Sequence, residues 1–167
     1  KIDKIHGRIL GRVNLVDAEN CVSCLAFVPG IASISIGNSM EPDFEQIAKF
    51  GISLIKEKLK VLGQLKFCVR TRRSNKTFPI SSKEFDFEIG SRIMESLSSK
   101  GLSVDIKRAD FIFEVEVGPQ ETIVFDNRIP GLSGLPVGSS GQVLSLLSGG
   151  IDSPVSTFKL INRGCRV

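Results

Sequence analysis

The sequence is poor in the residues that build metal centres and membrane spans. Histidine occurs once, as His6 before Gly7, with no partner at ligand spacing. Cysteine occurs at Cys21, Cys24, Cys68 and Cys165. Cys21-Val22-Ser23-Cys24 has the spacing of half a zinc site or of a redox pair, but a zinc ribbon needs a second close pair, and Cys68 and Cys165 are isolated. Metal geometry demands clustered donors, so buried or incidental thiols are expected here and no metal site is assigned. No apolar run approaches the roughly 18 residues that cross a bilayer. The opening Lys1-Ile2-Asp3-Lys4 has no apolar core behind it, which argues against a secretory signal. Free thiols without an export signal favour a cytoplasmic location, away from any membrane.

What remains is an ordinary globular composition. The chain has 167 residues, 41% hydrophobic and 24% charged, enough for one domain or two small ones. A net charge of +4 and a pI near 9.0 point weakly to a polyanionic partner, so the placement of the charge matters more than its sum.

Residues 1–37 read as short strands, "GRILGRVNLV" (Gly7–Val16) and "IASISI" (Ile31–Ile36), around a short helix near Cys21–Phe27. "NSMEP" (Asn38–Pro42) reads as a turn and a boundary. From Asp43 the period becomes helical. Asp43 and Gln46 form a capping pair, Phe44, Ile47, Ala48, Gly51, Ile55 and Leu59 share a face, and Gly63 can close the helix. "QLKFCVRT" follows as a strand with Leu65, Phe67 and Val69 on one side and Lys66, Cys68 and Arg70 on the other. Ser81 and Glu84 make an S-x-x-E capping box for a second helix with the stripe Phe85, Ile89, Ile93 and Leu97. "LSVDIK", "FIFEVEVG" and "TIVFD" alternate as strands, so helices packed on one sheet are expected over 43–129. The Gly/Pro/Ser-rich stretch at 130–141 reads as a hinge without regular structure, separating off 142–167.

In that last segment Val143–Leu147 is nearly all apolar, as for a strand covered on both faces of a parallel sheet. Ser148-Gly149-Gly150 interrupts it, Asp152 and Ser153 offer helix caps, and Pro154 suits a first helical turn. A strand, a glycine loop and a helix start aim backbone N–H groups at one point beside the positive end of a helix dipole. Glycines there remove the Cβ atoms that would hold a phosphate away. An ordinary strand–turn–helix corner would use the same residues for geometry. The loop has no Walker lysine, Lys159 lying well into the helix, and no G-x-G-x-x-G fingerprint.

"SGGIDS" resembles the loop of the ATP pyrophosphatases (PP-loop enzymes), which split ATP between its α and β phosphates. The wider "GLPVGSSGQVLSLLSGGIDSPV" resembles the junction of tRNA 4-thiouridine synthetases (tRNA sulfurtransferases), where a THUMP RNA-binding domain meets a PP-loop domain. Upstream, Asp43–Asp126 looks like THUMP and "GRILGRVNL…FVPGIASISI" like the end of a preceding ferredoxin-like domain. The resemblance implies an α/β (α+β) chain. Its parts are a partial ferredoxin-like unit (1–42), a THUMP domain with helices packed on a mixed sheet (43–129), a linker (130–141) and the start of a Rossmann-like PP-loop domain (142–167). It implies that Ser148, Gly149, Gly150, Asp152 and Ser153 cradle the departing pyrophosphate of ATP, that Leu146 and Leu147 border the adenine, and that Asp152 is a candidate magnesium contact.

"FCVRTRRSNKTFPISSKEF" places Arg70, Arg72, Arg73, Lys76 and Lys83 between a strand and a helix. A loop cannot bury so many cations, so they face water or a polyanion. The resemblance implies that this surface holds the tRNA acceptor end, through phosphates and so largely without regard to sequence. The start of the helix behind Ser81 could add N–H groups, and Lys107-Arg108 is a second, weaker patch. For Phe78, packing on the following helix is favoured over stacking on a base.

The family reaction uses ATP and Mg2+ to adenylate O4 of uridine 8 of tRNA. Sulfur from a persulfide, delivered by a cysteine desulfurase or persulfide carrier, then displaces AMP to give 4-thiouridine. Some relatives also supply sulfur for the thiazole of thiamine. Against that pattern the chain lacks the first strand and helix of the ferredoxin-like unit, the rest of the parallel sheet, and the downstream sulfur-carrying cysteine. No catalytic residue is therefore assigned within it, and this stretch alone is expected to be inactive. Half a parallel sheet would leave Leu144, Leu146 and Leu147 exposed, at roughly 1.5–3 kcal/mol each, so residues 142–167 are expected to be loosely ordered or to pack on another chain, a second copy among the candidates. Two other readings compete: a non-catalytic THUMP-type RNA-binding module, and a PP-loop ligase acting on a small molecule.

Overall fold

A computed structural model of the chain describes residues 2–5, 8–73, 79–97, 101–118 and 121–167. In chain order its elements are β1 (Ile2–Ile5), β2 (Arg8–Gly11), α1 (Leu15–Leu25), β3 (Ser33–Ile34), β4 (Asn38–Met40), α2 (Phe44–Leu62), β5 (Leu65–Arg73), α3 (Ser82–Ser96), β6 (Leu102–Val104), β7 (Phe111–Val117), β8 (Thr122–Phe125), β9 (Ile129–Pro130) and α4 (Asp152–Asn162). They form two compact units, Gly37–Asn127 and a second assembled from Lys1–Ile36 with Arg128–Val167. Among the described residues no helix is long and apolar enough to cross a membrane.

The unit Gly37–Asn127 is a five-stranded mixed sheet in the order β4-β8-β7-β5-β6. Helix α2 starts where the sequence predicts: Asp43 caps it by accepting from the Gln46 amide at 2.7 Å, and Gly63, at φ 71°, ends it with its N–H on Leu59 O. Helix α3 opens on the full capping box, Ser81 N donating to Glu84 Oε2 at 2.7 Å and Glu84 N to Ser81 Oγ at 3.2 Å. Both helices bury their stripes on the same sheet face. Ile47, Ile55, Phe85, Ile89 and Ile93 close over Phe67, Phe113, Val115 and Val124, all fully buried. Gly51 permits that approach, since a Cβ there would stand 3.0 Å from the Phe113 ring and 3.1 Å from Ile93 Cδ1.

"NSMEP" is not a turn. Asn38, Ser39 and Met40 form the edge strand β4, in register with Val124, Ile123 and Thr122 of β8. Its turn-like composition is local, whereas the partner lies some eighty residues away.

In the second unit β1 and β2 pair antiparallel, as do β3 and β9. The strand expected over Gly7–Val16 stops at Gly11, and Leu15 and Val16 already belong to α1, which begins earlier than Cys21. The strand expected over Ile31–Ile36 shrinks to the two residues of β3. The stretch after β9, read as irregular, is hydrogen-bonded along its length. Gly131 N donates to Ala32 O, Leu135 N to Asn162 O, and Gly138 N and Ser140 N both to Gly164 O. Gly134, at φ 78°, lies so close to Asn162 that a Cβ would collide with its carbonyl.

Candidate functional sites

Strand β5 organises the first site. It pairs in parallel with β6 over Leu65–Phe67 and with β7 over Phe67–Arg73, so Phe67 faces Val104 on one side and Phe111 on the other. The chain between β6 and β7 therefore passes from one side of β5 to the other. Asp105 N donates to Phe67 O at 3.0 Å and Asp110 N to Lys66 O at 2.8 Å. Beyond Phe67 no described strand lies on the β6 side of β5. Helix α3 serves that edge instead, the Thr71 amide donating to Asp86 Oδ1 at 2.6 Å. Burial pushes the Asp86 carboxyl above its usual range, with the bonds from Thr71 and the charge of Arg70 opposing.

The cations named from the sequence surround this edge but do not share one role. Arg70 and Arg72 are exposed. By alternation they point away from the helices, and their register neighbours on β7 are Glu114 and Glu116. These carboxylates temper the positive field that the one-dimensional stretch suggests. Arg73 points to the other face and is half-buried. Its Nε donates to Ser82 Oγ at 3.3 Å and its Nη1 to Ile80 O, so it ties down the entry to α3. Lys83 is exposed on the first turn of α3. At the start of that helix the capping box engages the amides of Ser81 and Glu84, which leaves those of Ser82 and Lys83 as the ones that could serve a ligand. The Ser81 bonds hold the Glu84 carboxyl below its usual range. Lys107 and Arg108 are exposed on the crossing loop, their amides both donating to Asp105 Oδ1 at 3.0 and 2.9 Å. Those two bonds hold the Asp105 carboxyl low. Lys76, Phe78 and His6 lie outside the described residues.

Asp86 and Asp105 were not singled out from the sequence. Asp105 had a legible signal, an aspartate just before two cations at a strand end, which is the pattern of an Asx turn. Asp86 had none, because its partner is chosen by tertiary packing. Cys68 is buried on β5, and burial raises its thiol pKa. Cys21 and Cys24 are free thiols on α1, and no metal-holding cluster occurs among the described residues.

The second site is the corner between Leu144 and α4. Residues 143–147 do not form the expected strand. Its beginning is held by Val143 N on Arg166 O and a bridge of Gln142 to Arg166, and its middle by a hydroxyl–hydroxyl hydrogen bond of Ser145 with Thr157, while Leu144, Leu146 and Leu147 are 90, 85 and 68% exposed. An apolar run becomes a strand only where a neighbouring strand bonds it, and no described strand pairs with residues 144–147. The loop itself is ordered by serines. Ser148 N donates to Ser153 Oγ at 2.9 Å, the two hydroxyls lie 3.0 Å apart, and Gly150 N reaches Ser148 Oγ at 3.3 Å. Asp152 and Ser153 do not cap α4: the N-cap is Ile151, without a side-chain cap bond. The Asp152 side chain is thus exposed at the mouth of the corner. Neither Gly149 nor Gly150 has positive φ. A Cβ at Gly149 would meet nothing within 4 Å, and one at Gly150 only Ser148 Oγ at 3.6 Å. Among the described residues, then, little packs against either glycine, and the backbone there is open to solvent. Cys165 lies just past α4, its amide donating to Leu160 O.

Two helices on a mixed five-stranded sheet with a cation-edged strand are the architecture of a THUMP domain, and the THUMP domain family model matches residues 41–125. A second model, described as "Thiamine biosynthesis protein (ThiI)", matches residues 138–167. A protein of Methanocaldococcus jannaschii named "Probable tRNA sulfurtransferase" is 39% identical over 165 residues, 97% of this chain and 42% of the relative. One of the same name from Thermococcus kodakarensis is 36% identical, covering 100% of this chain and 43% of the relative. Among solved structures, PH1313 from Pyrococcus horikoshii superposes with a TM-score of 0.87 at 29% identity, over 99% of this chain and 52% of its own. A 4-thiouridine synthetase–RNA complex with bound ATP superposes with a TM-score of 0.79 at 33% identity, over 99% and 42%. The chain belongs to the THUMP-containing tRNA sulfurtransferase (4-thiouridine synthetase) family, and it spans about two fifths of the length of the curated relatives it matches.

Proposed function

We propose that this chain provides the tRNA-holding surface and the ATP loop of an enzyme that makes 4-thiouridine at position 8 of tRNA. Residues 43–129 hold the acceptor end, and residues 142–167, beyond the linker 130–141, open the nucleotide site. The observation that carries the reading is the pair Gly149–Gly150, which neither backbone conformation nor packing requires and which leaves room at an uncapped helix start.

In this reading Arg70, Arg72, Lys83, Lys107 and Arg108 hold phosphates, with Lys76 from the adjoining loop. Arg73 contributes mainly by fixing the turn into α3. ATP supplies the adenylyl group that turns a uridine carbonyl oxygen into a leaving group. The chain's own part is positional. Ser153, tied to Ser148, holds the glycine loop in shape, and amides around Gly149 and Gly150 receive the pyrophosphate as its charge develops. The exposed carboxylate of Asp152 would hold a magnesium ion beside the phosphates. Leu146 and Leu147 border the adenine. The outer sulfur of a partner-supplied persulfide would then bond to the uridine carbon as AMP leaves, and a second thiol would cleave the S–S bond, leaving a disulfide; none of these thiols is assigned among the described residues.

The test is filter binding of tRNA with and without its 3′-terminal CCA. Tighter binding of the complete tRNA, weakened by Arg70→Ala with Arg72→Ala, supports the reading. Equal and negligible binding of both RNAs would favour a PP-loop ligase acting on a small molecule.

A further inference from the structure

Every other described phenylalanine of the unit Gly37–Asn127 is buried or half-buried, but Phe87 is 73% exposed, in the middle of α3. On that helix Phe87, Lys83 and Gly90 fall within a sector of about 60°, turned away from the buried stripe of Phe85, Ile89 and Ile93. The sector adjoins the open edge of β5, since Asp86 reaches Thr71 and the nearest atom to a Cβ built on Gly90 would be Val69 Cγ2, at 3.9 Å. Lys83, one turn nearer the N-terminus than Phe87, is exposed beside it.

Gly90 has no structural reason to be glycine. It sits inside a helix, where glycine is disfavoured against alanine, and a Cβ would make only ordinary contact. An exposed aromatic ring, a cation one turn before it and an unexplained flat spot one turn after it occupy one face at a cation-edged strand. Bases that leave a duplex are held in this manner, the ring stacking on the base and the cation taking the adjacent phosphate.

We propose that Phe87 is the stacking platform for one unpaired nucleobase of the tRNA, with Lys83 on its phosphate and Gly90 leaving room for the base to lie flat. The proposal rests on the tRNA-binding reading above and adds a base contact to a surface otherwise made of phosphate contacts.

The test uses the full chain and tRNA carrying 2-aminopurine in its single-stranded 3′ end. Phe87→Ala is expected to weaken binding about tenfold and to abolish the quenching of the probe. Phe87→Trp keeps both, and Phe87→Leu, which keeps apolarity without a ring, loses the quenching. Tightness for RNA trimmed of its unpaired 3′ nucleotides should be the same in wild type and Phe87→Ala. Wild-type affinity and quenching in Phe87→Ala, with affinity still lost in Arg70→Ala/Arg72→Ala, would overturn the platform and leave the tRNA reading standing. Indifference of tRNA binding to the arginines as well would remove both. A melting curve of Phe87→Ala matching wild type keeps the comparison free of folding effects.

Discussion

The amide of Thr71 donates to the carboxylate of Asp86 at 2.6 Å, so a helix side chain occupies the strand edge that β6 leaves open. Because burial raises the Asp86 pKa from 3.8, the folded protein holds this proton more tightly than the unfolded chain does. Its contribution is therefore fully present below about pH 3.8 and is lost as pH rises through the higher folded value. Asp86→Asn keeps an acceptor for Thr71 and removes the titration. Relative to wild type, Asp86→Asn should gain stability between acid and neutral pH. Denaturant unfolding at a series of pH values checks this, and a pH-independent difference would contradict it.

Two neighbouring arginines should behave oppositely. Arg73→Ala removes bonds to Ile80 O and Ser82 Oγ and should cost about 1 kcal/mol of stability. Arg72→Ala, exposed on the other face, should change stability by less than about 0.5 kcal/mol. For tRNA binding the order reverses. Arg70→Ala with Arg72→Ala should make the salt dependence of log K shallower by about 1.5–2. Calorimetry and salt titrations separate the two roles.

Gly149→Val should leave the melting temperature unchanged, because nothing lies within 4 Å of a Cβ built there. In protein of the relatives' full length the same change should abolish ATP–pyrophosphate exchange. Unfolding of the variant, or undiminished exchange, would each tell against a phosphate cradle at this corner.

Gly51→Val should be destabilising by about 1–3 kcal/mol, since even a Cβ meets Phe113 and Ile93 at 3.0 and 3.1 Å. Leu146→Ser, at an 85% exposed position, should alter stability by no more than about 0.5 kcal/mol in this chain. Urea unfolding of the two variants measures the contrast directly.

What could be read from the sequence follows from the range of each interaction. Asp43 with Gln46, Ser81 with Glu84, and the stripes behind them are contacts within four residues, and both helices appear where those signals lie. Strand β4 was concealed because Asn38–Met40 owes its state to Thr122–Val124. The stretch 130–141 was read as a hinge because its bonds go to 30–32 and 162–166, which no local pattern encodes. At the candidate site the cations were legible and their surroundings were not. Glu114 and Glu116 enter beside Arg70 and Arg72 through strand register, and the engagement of Arg73 depends on where α3 begins.

The passage of residues 105–110 across β5 acts as a strap. It is fastened at Lys66 and Phe67, so β5 cannot leave the sheet without first releasing β6 and β7. The amides of β5 should then be among the last in the unit to exchange with solvent. Arg70 and Arg72 lie on that same strand, so in the reading proposed above a polyanion meeting them would find its anchor points already set, with little ordering left to oppose capture.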